Sequence, residues 1–416
     1  MRIFKFGGTS IRDASHIVRI AKILKSEGTE NLVMVVSAMG KMTNAFESLI
    51  PFELSDAERR KRMRSIRKYH DTIIEGLEIH TPELDSELDG IFDTISGILK
   101  DTRLSYDCRY DRVVSYGEII SSLIIHTYLS GQGIPPVLLD ARKILHTDGR
   151  NRKAQVLWKE TCRNIREHIN AAGGFYLTQG FIGGSERGTV TLGREGSDYT
   201  AAVFGYCTDA SSVTIWKDVP GVYNADPRYF DQYRLLDEIS YNEALEMAFY
   251  GASIIHPKTI KPLQNKNIPL YVRSFLNSNN PGSKIASQIT DIPVPRYILK
   301  KNQILLSIAT RDFSFIIEKH ISRIFDLFAR NGITVNLIQN SAISFSVCLE
   351  DPLNGFERMI AELQKEFYIR YNKHVSLLTI RHIDEQVWDE ILEKNKVLLS
   401  QKTGKTAQFV ISHSAP

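Results

Sequence analysis

The chain has 416 residues, of which 43% are hydrophobic and 24% charged, with a formal net charge of +4. That length exceeds one small core and predicts two or three domains, and the composition is that of a globular protein. A charge so close to balance gives no footing for a nucleic-acid or membrane partner, and no apolar run approaches the roughly 18 residues that span a bilayer.

The first element alternates apolar residues as a strand, Arg2-Ile3-Phe4-Lys5-Phe6, and runs into Gly7-Gly8-Thr9-Ser10 before helical spacing sets in from Ile11 to Lys25. Glycines at a strand-to-helix turn let backbone N–H groups approach an anion. The helix dipole and the Lys5 charge would strengthen such a site. A plain turn carrying a surface lysine is the competing reading. A second strand, Leu32 to Val36, precedes a helix expected near Asn44, where Asn44 and Glu47 have capping-box spacing. Residues 50 to 105 read as an inserted helical subdomain, and the basic run Arg59 to Arg64 falls on its solvated side. Further strands are expected at Val137 to Asp140, Phe175 to Thr178, Ser212 to Trp216 and Leu270 to Arg273. Strands alternating with helices predict an α/β domain over 1–280, with a mostly parallel sheet covered on both faces. Beyond the polar loop Asn277 to Gly282, strands and helices from Gln303 to Ile380 follow the βαββαβ order of a ferredoxin-like domain, assigned 300–382. Residues 383–416 hold one helix and one strand, too little for a core of their own. The four cysteines, Cys108, Cys162, Cys207 and Cys348, share no metal-ligand spacing. They read as reduced thiols of a cytoplasmic protein, and no protein-bound metal is expected.

Chemistry concentrates in three loops. In Leu192-Gly193-Arg194-Glu195-Gly196-Ser197-Asp198, an arginine fork suits a carboxylate and a nearby carboxylate suits an ammonium, so the loop fits a zwitterion; a structural salt bridge explains it equally simply. Glu118 follows Ser115-Tyr116-Gly117 and is placed in the first turn of an apolar helix, where dipole capping accounts for it without function. Lys217, Asp218, Tyr223 and Arg228 decorate a loop after a buried strand, at the sheet edge where open α/β sheets bind ligands. His256, before Pro257, reads as a structural hydrogen-bonding residue. Neither a P-loop nor a dinucleotide-binding glycine fingerprint is present.

Taken in order, these segments closely resemble aspartate kinases of the amino-acid kinase family over residues 1 to about 275. The matching stretches are Lys5 to Ser10, Val36-Ser37-Ala38 with Thr43-Asn44, Gly117-Glu118, Thr178 to Gly183, Thr191 to Arg194, Gly196 to Ala202, Trp216 to Gly221 and Asp226-Pro227-Arg228. The region after residue 300 resembles the amino-acid-sensing ACT domains that such kinases carry in pairs, with 383–416 as a truncated second unit. The resemblance implies transfer of the ATP γ-phosphoryl group to the β-carboxylate of L-aspartate, at the head of lysine, threonine and methionine biosynthesis. Mg²⁺ would be held mainly by the ATP phosphates. It further implies Lys5 and Asp198 as catalytic residues, and Gly7, Gly8 and Ser10 as the phosphate cradle. Thr43, Glu118, Arg194 and Ser197 would bind aspartate, with Glu118 near the ammonium. Lys217, Asp218, Tyr223 and Arg228 would line the ATP site, and a homodimer would form through the ACT region.

The chain departs from the family pattern at three places. Glu195 stands where relatives commonly have glycine, and is expected to point into solvent or to pair with a basic residue. Ser253 occupies a position where some relatives carry a nucleotide-contacting lysine, a role for which Lys258 is the alternative. Asn336, beside Ser341, replaces an acidic residue that helps hold the effector ammonium in lysine-inhibited relatives, leaving lysine, threonine or no effector open. The rival readings are a kinase of the same fold acting on glutamate or acetylglutamate, and a catalytically dead amino-acid sensor.

Overall fold

The computed structural model describes the whole chain except residues 170–172, 253–254, 291–292, 313, 353–354 and 413–416. It divides into two compact units: Met1–Val222, Leu235–Leu245 and Ile254–Asp291 form the first, and Tyr223–Arg234, Glu246–Ser253 and Ile292–Pro416 the second.

The first unit is built on an eight-stranded sheet in the order Glu238–Ser240, Ser283–Ala286, Leu270–Ser274, Ser212–Lys217, Arg2–Phe6, Leu32–Val36, Phe175–Gln179 and Val137–Leu139. Every adjacent pair is parallel except Leu270–Ser274 with Ser283–Ala286. The central strands are buried on both faces, which explains near-continuous runs such as Leu-Val-Met-Val-Val at 32–36. Strand alternation sorts the first strand's side chains. Phe4 and Phe6 join one core with Met34, Leu177 and the apolar faces of the helices Ala14–Glu27, Asp56–Leu77 and Tyr106–Gly131. On the opposite side Lys5 reaches Asp198 of the helix Gly196–Cys207, so helices cover both faces.

Three local expectations are corrected. The first strand leads not straight into a helix but into a 3₁₀ turn, Gly8–Ile11, and the helix proper begins at Ala14 with the Asp13 carboxylate on its N-terminus. That helix end is already capped and offers nothing to an anion. The helix after the second strand spans Met42–Glu47, so Asn44 lies inside it rather than at its cap. Third, Cys162 and Cys207 form a disulfide with Cα atoms 4.7 Å apart, whereas Cys108 and Cys348 are free. These two residues sit on helices that only the fold brings together, so their separation of 45 residues carries no signal. The basic run is also less detached than expected, because Arg59 donates to the carbonyls of Leu49 and Pro51 and Arg62 to that of Ser48. Lone helix-face arginines here tie down the loop that begins the helical insertion.

The second unit is a six-stranded antiparallel sheet, ordered Val335–Asn340, Ser344–Glu350, Arg296–Thr310, Phe367–Arg381, Thr406–Ser412 and Lys396–Thr403. Its two long strands pair along their length, with register shifts between Lys300 and Gln303 and between Gln303 and Leu305. One half, from Gln303 to Asn372 with the helices Glu318–Arg330 and Phe356–Leu363, has βαββαβ order and its own core of Ile304, Leu306, Phe328, Val347 and Met359. In the other half Arg296–Lys300 and Leu377–Arg381 pair, the strand Thr406–Ser412 extends them, and Leu378, Ile380 and Phe409 pack with Trp388. The tail after residue 383 contains two strands, not one, and it completes this sheet instead of standing apart. Lys396–Thr403 escaped notice because an edge strand, half buried and ending in Gln-Lys-Thr, lacks the apolar alternation of an inner one. No helix among the described residues is long and apolar enough to cross a membrane.

Candidate functional site

The ends of the parallel strands and the loops that follow them enclose a cavity of about 690 Å³ in the first unit. At one end lies Lys5, 9% exposed, its ammonium 2.6 Å from the carboxylate of Asp198, itself 4% exposed. A lysine so placed loses rotamer freedom and most of its water, and the buried carboxylate fixes its charge at one point. Gly7 and Gly8 line the cavity beside it. Gly8 has no substitute, because a Cβ there would lie 2.7 Å from the Gly40 carbonyl oxygen and 2.8 Å from that of Ala38. Ser10 is fully buried, donates to the Trp216 carbonyl at 3.2 Å, and is not among the residues that line the cavity.

The helix Gly196–Cys207 starts at the cavity wall with Gly196, Ser197 and Asp198, so its positive dipole end faces the space that Lys5 charges, although the Gly196 N–H is itself engaged by the Gly193 carbonyl at 3.0 Å. The helix dipole expected next to the glycines is therefore supplied by this later helix. Asp198 pairs with Lys5, which releases Arg194 from the anticipated pairing; Arg194 is exposed and lines the cavity. Glu195 precedes the helix with φ 52°, the left-handed region that glycine favours, which explains why glycine suits this position. Its exposed carboxylate accepts the His256 backbone N–H at 2.8 Å, neither pointing freely into solvent nor pairing with a base. His256 caps its own helix through Nδ1, which accepts from the Lys258 N–H. Lys258 donates its ammonium to the Leu192 carbonyl at 2.9 Å and lies over the Tyr199 ring, holding the same loop. Ser253 lies outside the described residues.

Glu118 is in the middle of the helix Tyr106–Gly131, not in its first turn, because Ser105 caps that helix a dozen residues earlier. The polar look of Asp107, Arg109 and Asp111 disguises the early turns, although Arg109 and Asp111 are buried. Capping cannot then explain Glu118. It is 2% exposed, accepts the Ala38 N–H at 3.3 Å through Oε1, and leaves Oε2 without a hydrogen-bond partner. Gly117 lets the helix come this close, since a Cβ there would meet that of Ala38 at 2.9 Å. Burial pushes the Glu118 carboxyl up to about 8, against the opposing pull of the Ala38 N–H and the Lys5 charge. An acid left buried and half satisfied beside a cavity is a poor structural element and a good receptor for a cation.

Thr43, Lys217 and Asp218 also line the cavity. Tyr223 and Arg228 belong to the second unit, where Tyr223 packs edge-on against Tyr233 and the Arg228 fork grips Asp226. Two further lining residues, Tyr110 and Arg152, carry no warning in the sequence, because Gly149-Arg150-Asn151-Arg152-Lys153 reads as a solvated turn. In the second unit Asn336 accepts from the Lys300 ammonium and donates to Gln303, both at 2.7 Å, while Ser341 is exposed and bonds within its turn to Ser344.

A sequence profile of the amino acid kinase family matches residues 1–274. Lysine-sensitive aspartokinase 3 of Escherichia coli (strain K12) is 32% identical over 355 residues, covering 84% of this chain and 78% of that protein. The chloroplastic aspartokinase 3 of Arabidopsis thaliana is 26% identical, over 91% of this chain and 71% of its own length. Among solved structures, E. coli aspartokinase III in complex with lysine and aspartate, in its T-state, aligns with a TM-score of 0.83 at 28% identity, covering 99% of this chain and 95% of that one. The same enzyme with aspartate and ADP, in its R-state, aligns at 0.82.

Proposed function

Because the chain belongs to the amino acid kinase family and, within it, to the aspartokinases, we propose that its cavity transfers the γ-phosphoryl group of ATP to the β-carboxylate of L-aspartate. The observation that carries this reading is one buried lysine, clamped by Asp198, and one buried, half-satisfied carboxylate, Glu118, facing a single cavity. A phosphoryl group and an ammonium are the two charges these groups complement.

The acceptor carboxylate has a pKa near ~4 and is ionised at neutral pH, so no general base is required. The difficulty is electrostatic, an anion approaching a polyanion. Lys5 lowers that cost at the transferring group, the Gly7 and Gly8 backbone adds donors, and the helix that starts at Gly196 adds its positive dipole end, all without reorganisation. Asp198 keeps the Lys5 ammonium in place. Glu118 takes the aspartate ammonium, Arg194 its α-carboxylate, and Thr43 and Ser197 position the rest, so that the reacting oxygen is presented in line. Lys217 and Asp218 serve the nucleotide. Mg²⁺, held mainly by the ATP phosphates, would contribute charge neutralisation there. A homodimer through the second unit completes the proposal.

An assay of ADP release tests this. Turnover with Mg·ATP is expected with aspartate and not with glutamate or acetylglutamate; ATP hydrolysis independent of any amino acid, or none at all, contradicts it. Glu195→Gly is expected to leave the aspartate KM within about threefold, because only a backbone contact is lost and glycine accepts the same φ. A tenfold fall would show that the carboxylate repels the substrate. Asn336 is neutral and already engaged with Lys300 and Gln303, so it offers an effector ammonium no charge. Initial rates with millimolar lysine are accordingly expected to fall by less than half, and near-complete inhibition would refute this.

A further inference from the structure

Arg152 sits in the wall of the cavity with its backbone at φ 63°, a conformation in which a non-glycine side chain is uncommon. That geometry is held by a built support. Asp111, fully buried, accepts the Arg152 N–H at 3.0 and 3.1 Å, the Asn151 side-chain amide at 2.8 Å and the Thr191 hydroxyl at 2.6 Å. Thr191 ends the strand Gly188–Thr191 that runs into the loop carrying Arg194, and the Arg152 carbonyl presses on that loop, 3.1 Å from where a Gly193 Cβ would lie. Asp111 and Glu118 are seven residues apart on one helix, two turns along the same face. One buried carboxylate thus fastens Arg152 and the Arg194 loop to the helix that bears Glu118.

The guanidinium is equally constrained. It lies 4.2 Å from the Tyr110 ring centroid, with Glu47 and Asp107 at 3.6 and 3.5 Å, so both ion pairs are long and the side chain keeps 42% of its surface. Glu47 shares a face of the short helix Met42–Glu47 with Thr43, so the Glu47 contact ties Arg152 to the helix that brings Thr43 to the same cavity. A planar fork stacked on an aromatic ring, with donors to spare, is the arrangement that recognises a carboxylate.

Resting on the aspartate kinase reading, we infer that Arg152 is a substrate-binding residue that, together with Arg194, holds the α-carboxylate of the amino-acid substrate and so sets its affinity. Asp111 is the positioning residue behind it. Glycine tolerates φ 63°, so Arg152→Gly removes the guanidinium while leaving the loop conformation accessible. Steady-state kinetics of this variant should show the aspartate KM raised tenfold or more, with the ATP KM and kcat within threefold, and Arg152→Lys should fall between it and the parent. Calorimetric binding of L-aspartate and of its α-amide separates recognition from general damage: the variant should lose affinity for aspartate and show little change for the α-amide. An unchanged aspartate KM, or equal losses for both ligands, overturns the inference. A parent enzyme with no aspartate-dependent turnover would instead overturn the functional assignment.

Discussion

Replacing Lys5 by methionine is expected to lower kcat for aspartate by about a thousandfold while changing the aspartate KM only a few-fold, because its charge acts on the transferring phosphoryl group and not on the bound amino acid. The substitution strands the buried Asp198 carboxylate that now lies 2.6 Å from the ammonium, and an unpaired buried charge destabilises strongly. Lys5→Met combined with Asp198→Asn removes both charges and should restore the melting temperature without restoring turnover. If the double variant recovers kcat to within tenfold of the parent, Lys5 is a structural lysine and the phosphoryl-transfer role fails.

A second large effect is expected at Glu118. Its carboxyl, raised to about 8 by burial, holds a proton in the ligand-free protein at neutral pH, whereas an ammonium is bound by the ionised form. Aspartate binding must therefore expel that proton below pH 8. The apparent affinity should rise by up to tenfold per unit between about pH 6 and 8 and level off above. Glu118→Gln should abolish this slope and raise the aspartate KM at pH 8 by a hundredfold or more, with a smaller effect at pH 6. Stability moves in the opposite sense. A folded-state pKa above the unfolded value near 4.5 contributes stability that is present below pH 4.5 and lost as pH rises through 8. The ligand-free Gln variant should therefore melt above the parent at pH 8 and level with it near pH 5. A parallel pH profile for the two proteins would mean that Glu118 does not meet the substrate.

The sequence carried the site as separate fragments. Strand alternation around Lys5, the glycines placed after it, and the charged Gly193 to Asp198 loop are local patterns, and each is written within a few residues. Their union is not. Lys5 meets Asp198 only through the parallel order of the sheet, which no spacing encodes. Glu118 lies in mid-helix where the sequence reads a helix start, because buried polar residues, Arg109 and Asp111, give the early turns the composition of a loop. Arg152 was invisible for a related reason: a positive φ and a supporting carboxylate from another element leave no mark in a Gly-Arg-Asn-Arg-Lys turn. Ser10 keeps phosphate-loop company in the sequence, while in the fold its hydroxyl is engaged by the backbone of Trp216. In the second unit the βαββαβ order was legible from periodicity, yet the strand Arg296–Lys300 joins a half-sheet completed only near the end of the chain, a long-range pairing that local pattern does not reveal.

The chemical identity of the product is the most direct test. An acyl phosphate is captured by hydroxylamine at the carbonyl that carries it, so the intact chain should be incubated with Mg·ATP, L-aspartate and hydroxylamine and the hydroxamate identified by mass spectrometry against α and β standards. Aspartate β-hydroxamate formed in step with ADP, and lost in Lys5→Met, is the expected result. ADP without hydroxamate, or capture at the α-carboxyl, would contradict phosphoryl transfer to the β-carboxylate.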